Sequence, residues 1–157
     1  MKDIYDYDGN LLHSFDVKTL RRFDFSQITL DGANLDEDLT SANFSDSSCI
    51  DVDFGNSNLT NATFDFCNIN SSIFTKTILR NTSFENAEAD NCDFIGCDLS
   101  ANISFENASL VICNFRNADL RGVNFRGANL FGADLRGANV EGADFTDANL
   151  KNAKTDF

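Results

Sequence analysis

Large apolar residues recur along this chain at every fifth position. An amphipathic helix would repeat every three or four residues and a half-buried strand every two. From Asn117 to Phe145 the sequence reads NADLRGVNFRGANLFGADLRGANVEGADF, with Leu120, Phe125, Leu130, Leu135, Val140 and Phe145 on the beat. Backwards, the beat continues through Phe115, Leu110 and Phe105, slips by one residue, and runs again from Leu99 down to Leu39. A second slip, of the opposite sign, leads to Leu35, Leu30, Phe25 and Leu20. Self-similarity at a fixed period over most of a chain predicts a solenoid.

Taking every fourth beat sorts the residues by type. Phe25, Phe44, Phe64, Phe84, Phe105, Phe125 and Phe145 form one series, and Phe54, Phe74, Phe94 and Phe115 lie in another, flanked by Leu35 and Leu135. Leu20, Leu39, Leu59, Leu79, Leu99, Leu120 and Val140 make the third; Leu30, Cys49, Ile69, Ala89, Leu110, Leu130 and Leu150 make the fourth. These series stay coherent only with a deletion near Asp36–Asp38 and an insertion near Ser100–Asn102. A period of twenty predicts a square coil with four five-residue sides. Stacked at about 4.8 Å, about seven coils give a rod roughly 30 Å tall.

Two further positions carry structure. The residue two before each beat is often small (Ala33, Ala42, Ala62, Ala87, Ala108, Ala118, Ala128) and is expected to face a narrow axis. The residue two after it is Gly at 122, 127, 132, 137 and 142, and Asn at 61, 81, 86, 91, 107 and 117. Such residues are expected at corners that need positive φ. The fold class is therefore all-β, a four-sided parallel β-helix over residues 20–157. Residues 1–19 are expected to cap its first coil, with Asp8-Gly9 between apolar arms signalling a hairpin. At the other end, Phe157 is expected to fold over the last coil, or two C-terminal coils to pack together, giving a monomer or a homodimer.

The units ADLRG, ANLFG, ADFTD and ANLKN, repeated from about Leu20 to Phe157, closely resemble the pentapeptide-repeat family, whose unit reads A-(D/N)-(L/F)-x-x. The resemblance implies a right-handed quadrilateral β-helix. It also implies a class of partner, because some members bind type II topoisomerases such as DNA gyrase or topoisomerase IV, occupying the DNA saddle as acidic mimics and altering inhibitor sensitivity. This sequence differs from those members in lacking their long C-terminal helix and projecting loops.

Charge sharpens that expectation. The chain carries a formal net charge of −13. Residues 1–110 hold 19 acids against 6 bases, whereas residues 111–157 hold 6 of each. Such acidity disfavours direct contact with nucleic acid or anionic membranes and favours basic partners. No apolar run spans a bilayer, and MKDIYDYDGN lacks the apolar core of a signal peptide, so a cytoplasmic location is expected. The candidate protein-binding residues are Asp53, Asp93 and Asp134, just before the beat on one side, with Asp98 and Asp119 around the adjoining corner. Val111 and Phe131, stacked neighbours beside Ile112, are expected to face solvent as a small apolar patch.

Catalysis finds no support in the pattern. His13 is the one histidine and lies outside the repeat, where a surface role is the simpler reading. Cys67, Cys92, Cys97 and Cys113 occupy the inward small position and Cys49 a beat, which makes them small buried hydrophobes. Cys92 and Cys113, vertical neighbours, could alternatively form a redox pair. The acidic runs DEDL and DVDF lack calcium-loop spacing, and no phosphate-cradling Gly-Lys-Ser/Thr sequence occurs. The reading is a non-catalytic binding or scaffold module, needing no metal or cofactor, with the acidic DNA mimic as the alternative.

Overall fold

Nearly every five-residue side closes against the next coil by one parallel bridge, and the bridges record the period directly. Asn43 pairs with Thr63 and Thr63 with Ser83, twenty residues apart. Across the deletion the spacing falls to 19 (Asp24 with Asn43), and across the insertion it rises to 21 (Ser83 with Ser104). In this computed structural model, which describes residues 1–156, the chain is a right-handed, four-walled β-helix without α-helices. In chain order the walls carry the beat series of Leu20, Phe25, Leu30 and Leu35.

Away from the insertion, up to three hydrogen bonds per side hold adjacent coils together. The Phe64 N–H donates to Ser83 O at 2.8 Å, the Thr63 N–H to Ala42 O in the coil before at 3.1 Å, and the Phe66 N–H to Glu85 O at 3.0 Å. Most corners are tight turns in which the beat carbonyl accepts from the residue three on, as Phe64 O does from the Cys67 N–H at 3.1 Å. Except beside the two slips, at Glu37 and Ala101, the residue two after the beat has positive φ, at Asn61, Asn81, Asn117 and Gly122 as expected, but also at Phe66 (59°), Lys76 (62°) and Ile112 (60°). Those three have side chains that disfavour this conformation, so the pairing of coils above and below imposes it.

Beat residues from Leu20 to Leu135 are fully buried. Rings stack up the second wall, Phe44 on Phe64 at 4.6 Å and Phe64 on Phe84 at 5.0 Å, and up the fourth, Phe74 on Phe94 at 4.8 Å. These walls are opposite, and their rings meet edge to face across the centre, Phe54 with Phe64 at 5.3 Å and 86°. Phenylalanine therefore fills the axis. The position two before the beat is inward, as expected, but it is not uniformly small: Val52, Ile103 and Val123 are buried there alongside alanine, cysteine, serine and threonine. Several of its polar members bond to the coil before. Thr77 Oγ1 donates to Phe54 O at 2.8 Å and Thr82 Oγ1 to Leu59 O at 3.0 Å. Ser57 Oγ, whose coil sits on the deletion, is the one buried side-chain oxygen without a partner among the described residues.

Residues before the first wall form a hairpin of β1 (Lys2–Tyr5) and β2 (Leu11–Phe15), with a bulge between Ile4 and Tyr5. It is bound to the coil at several points. The Asn34 N–H donates to Tyr5 O at 2.9 Å, and Lys2 Nζ contacts both Glu37 carboxylate oxygens at 2.8 Å, beside the deletion. Phe15 packs on Phe23 and Phe25, extending the aromatic stack into the hairpin. His13, half-buried, stacks on Phe15 and lies 2.7 Å from Thr29 O, so it helps to fasten the hairpin. The expected fold-over of Phe157 lies outside the described residues. The final beats, Val140, Phe145 and Leu150, are half-buried.

Candidate functional site

The acid or amide before each beat does structural work that its residue type alone does not reveal. Its Oδ1 turns back to accept the N–H two residues on: Asp53 from Gly55 at 2.7 Å, Asp93 from Ile95 at 3.0 Å, Asp98 from Ser100 at 3.1 Å. Asp119 and Asp134 do the same with Arg121 and Arg136 at 3.3 Å. Asn and Asp are interchangeable in this role because both offer an oxygen at the right reach. At three of the serines that stand before a beat, an aspartate of the preceding coil takes over. Asp31 serves Ser48 Oγ and the Ile50 N–H, Asp65 serves Ser83 and Glu85, and Asp90 serves Ser109 and Val111.

The candidate carboxylates are thus partly engaged. The column on the fourth wall runs Asn34, Asp53, Ile73, Asp93, Asn114, Asp134, Lys154. Isoleucine and asparagine separate its acids, so successive carboxylates lie two coils, or about 10 Å, apart. On the first wall Asp98 stacks beneath Asp119. Arg121 grips the Asp119 carboxylate at 2.6 Å and Arg136 that of Asp134 at 2.6 Å. The hydrogen bond from Arg136 holds the Asp134 carboxyl down at about 2, and Arg121 lowers Asp119 likewise. Asp53 and Asp93 have no arginine partner among the described residues.

An unbroken acidic column lies elsewhere, on the second wall just after the beat. The Asp46 N–H donates to Asp65 O, the Phe66 N–H to Glu85 O and the Asn86 N–H to Glu106 O, which stacks Asp65, Glu85 and Glu106 in three consecutive coils. Phe66, 62% exposed, projects beside them. Sequence reasoning missed this column because it followed the acids before the beat; reading the position after the beat at a period of twenty finds it. The apolar patch is unevenly exposed. Val111 and Phe131 are half-buried, and Ile112 at 58% exposure is the most exposed member.

All five cysteines are buried and reduced. More than small hydrophobes, three of them substitute for Ser and Thr: Cys92 Sγ donates to Ile69 O at 2.9 Å, Cys97 Sγ to Phe74 O at 3.1 Å and Cys113 Sγ to Ala89 O at 2.8 Å. Burial pushes the Cys97 thiol up to about 12, with Asp93 and Asp98 adding to the shift. Burial also raises Cys113, beside Cys92. The unfolded Cys97 thiol ionises near 9.0 and the folded one only near 12, so its contribution to stability is complete below pH 9 and is lost as pH rises toward 12. Cys97→Thr keeps a donor for Phe74 O and removes the ionisation. Its urea midpoint is expected to fall less between pH 8 and pH 11 than that of the wild type; equal falls would refute the assignment.

Among the described residues no three His, Cys, Asp or Glu side chains gather to hold a metal ion, and no helix is long and apolar enough to cross a membrane. The described residues form a filled β-solenoid that presents columns of charge. Sequence profiles agree: one described as a pentapeptide repeat region matches residues 87–155, and one described as pentapeptide repeats (8 copies) matches 38–75 and 65–101. The chain belongs to the pentapeptide-repeat family. Among solved structures it is similar to HetL, a pentapeptide repeat protein involved in heterocyst differentiation regulation from the cyanobacterium Nostoc sp. strain PCC 7120, at 21% identity over 83% of this chain and 75% of that one, with a TM-score of 0.36. It is likewise similar to trypsin-treated QnrB1, a plasmid-mediated fluoroquinolone resistance protein, at 22% identity over 82% and 72%, with a TM-score of 0.38. A third is Rfr23 from the cyanobacterium Cyanothece 51142, at 28% identity over 76% and 60%, with a TM-score of 0.21. No curated protein matches the sequence.

Proposed function

We propose that this chain is a non-catalytic, rigid protein-binding rod whose acidic walls engage a basic protein partner. The observation that carries this reading is the Asp65–Glu85–Glu106 column beside exposed Phe66, on a scaffold whose interior is filled. Repeat proteins present such extended faces for binding. An immobilised wild-type rod is expected to retain a basic protein from lysate at low salt. The triple variant Asp65→Asn, Glu85→Gln, Glu106→Gln is expected to lose it; equal retention by both would reject this face.

Charge density favours a more specific reading, an acidic DNA mimic acting on a type II topoisomerase such as DNA gyrase. Residues 1–110 carry the whole net charge of −13. They span about five coils, or roughly 24 Å, giving about one net charge per 2 Å against about 1.7 Å for duplex DNA. Supercoiling by purified gyrase is expected to fall as protein is added, and the inhibition to fade steeply with salt, since screening shortens to about 8 Å near physiological ionic strength. Neutralising Asp53, Asp93 and Asp134 together to Asn preserves their turn-capping oxygens and is expected to weaken inhibition by about tenfold or more. Full-strength inhibition by that variant would move the contact to another wall, and no inhibition by wild type at micromolar protein would end the gyrase reading.

A further inference from the structure

Phe66, at 62%, is the most exposed aromatic side chain among the described residues. Its corner, between the second and third walls, is held in neighbouring coils by Gln27, Asp46, Asn86 and Asn107, all at positive φ. At a φ of 59° a phenylalanine is disfavoured, and at such exposure burial of its ring contributes little. Neither the backbone nor the core calls for a ring here.

The ring stands among charges of one sign. Asp65 precedes it in the chain, Asp46 occupies its corner in the coil before, and the Phe66 N–H donates to Glu85 O at 3.0 Å, which places Glu85 beside it in the coil after. On the third wall Asn68 Nδ2 holds the Glu88 carboxylate at 3.1 Å. The first base in the Asp65–Glu85–Glu106 column is Arg126, in the coil after Glu106 and paired with Asp144. The acids differ in freedom. Asp65 Oδ1 accepts from the Ser83 hydroxyl and the Glu85 N–H, and Glu106 Oε2 accepts from Asn124 Nδ2 at 3.0 Å. The Glu85 carboxylate makes no hydrogen bond or ion pair among the described residues. An exposed π-face beside an uncommitted carboxylate is the complement of a guanidinium, which stacks on the one and forks onto the other. A lysine ammonium is a hydrated point charge and gains less from either planar group.

We propose that Phe66 and Glu85 anchor an arginine side chain of the basic partner, the guanidinium lying on the phenyl face and donating to the Glu85 carboxylate. Asp46, Asp65 and Glu88 supply the surrounding field that attracts the residues flanking that arginine. Resting on the acidic-wall reading, the site adds the residue type that this wall selects. Charge alone treats arginine and lysine alike, whereas the ring does not. Salt screens the long-range field more than it weakens a contact, so the preference for arginine persists as ionic strength rises and total affinity falls.

The test titrates the full chain with acetyl-hexaarginine-amide and acetyl-hexalysine-amide, peptides of equal charge, by calorimetry. Wild type is expected to bind the arginine peptide about two- to fivefold more tightly. Phe66→Leu keeps an apolar side chain without a π-face and is expected to erase most of that preference, while Phe66→Tyr is expected to keep it. Glu85→Gln is expected to weaken the arginine peptide more than the lysine peptide. On the ¹⁵N-labelled wild type the arginine peptide is expected to shift the Phe66 and Glu85 amides saturably. Equal binding of the two peptides by wild type, or a preference unchanged in Phe66→Leu, overturns the arginine anchor and leaves the acidic wall standing. Binding of neither peptide at low salt overturns the wall and the anchor together.

Discussion

Phe84→Ala is expected to lower the free energy of unfolding by about 4 kcal/mol, within the range for deleting a buried aromatic side chain. Phe84 is fully buried and lies between Phe64 at 5.0 Å and Phe105 at 4.8 Å in its own wall. It also meets Phe74 at 5.7 Å and Phe94 at 6.1 Å edge to face from the opposite wall. Its removal leaves a void in the middle of the rod that backbone-paired neighbours cannot collapse to fill. Because each coil touches only the coils beside it, the loss also weakens the coupling between the two halves of the rod. Urea unfolding should show a lower midpoint, and a broader transition if the halves begin to unfold separately. Phe66→Ala is the matched control. That side chain is 62% exposed at a φ of 59°, so its removal is expected to change stability by less than about 0.5 kcal/mol. Equal losses at Phe84 and Phe66 would contradict the packing described.

Ala108→Leu is expected to cost about 2–3 kcal/mol, for the opposite reason. Ala108 is buried two residues before Phe105's successor in the beat, Leu110, and its neighbours above and below are Ala128 and Ala87, both buried. Phenylalanine already occupies the centre of the coil, so three added carbons have nowhere to go without moving a ring or parting a ladder bond. The adjacent bonds are short and continuous: the Ser109 N–H donates to Ala87 O and the Asn129 N–H to Ala108 O, both at 2.9 Å. A thermal scan should place the variant several degrees below wild type, since for a chain of this size 1 kcal/mol corresponds to about 2–4 °C. Unchanged stability would mean that the corner has free volume. By contrast Ala108→Ser should be tolerated, because Ser47 occupies the same wall position with its hydroxyl bonded to Phe44 O at 2.7 Å.

The candidate site was less legible than the scaffold around it. Asp53, Asp93, Asp98, Asp119 and Asp134 stand at the columns their spacing predicts, yet all five share one oxygen with the backbone, and Asp119 and Asp134 are gripped by arginine. A carboxylate in a sequence looks the same whether it caps a turn or meets a partner. The Asp65–Glu85–Glu106 column was within reach of the same period-of-twenty reading. The lost ladder bonds at Leu79 and Asp98 were not, because an inserted residue states that register shifts without stating which bonds are lost.

Arithmetic alone was enough for the coil. Beat, period, both slips and most positive-φ corners are local or strictly periodic demands, repeated so often that one sequence satisfies them in only one register, as Phe25, Phe44 and Phe64 in a single stack show. Tertiary structure decided everything that depends on atoms from different coils meeting: rings crossing the axis, Asp31 serving Ser48, thiols bonding to carbonyls a coil away, Ser57 left without a partner, and the hairpin tied through Tyr5 and Lys2. Periodicity says which positions share a wall, but a hydrogen bond or a cleft is settled by distances of tenths of an ångström between neighbouring coils, and those follow from packing the whole rod at once.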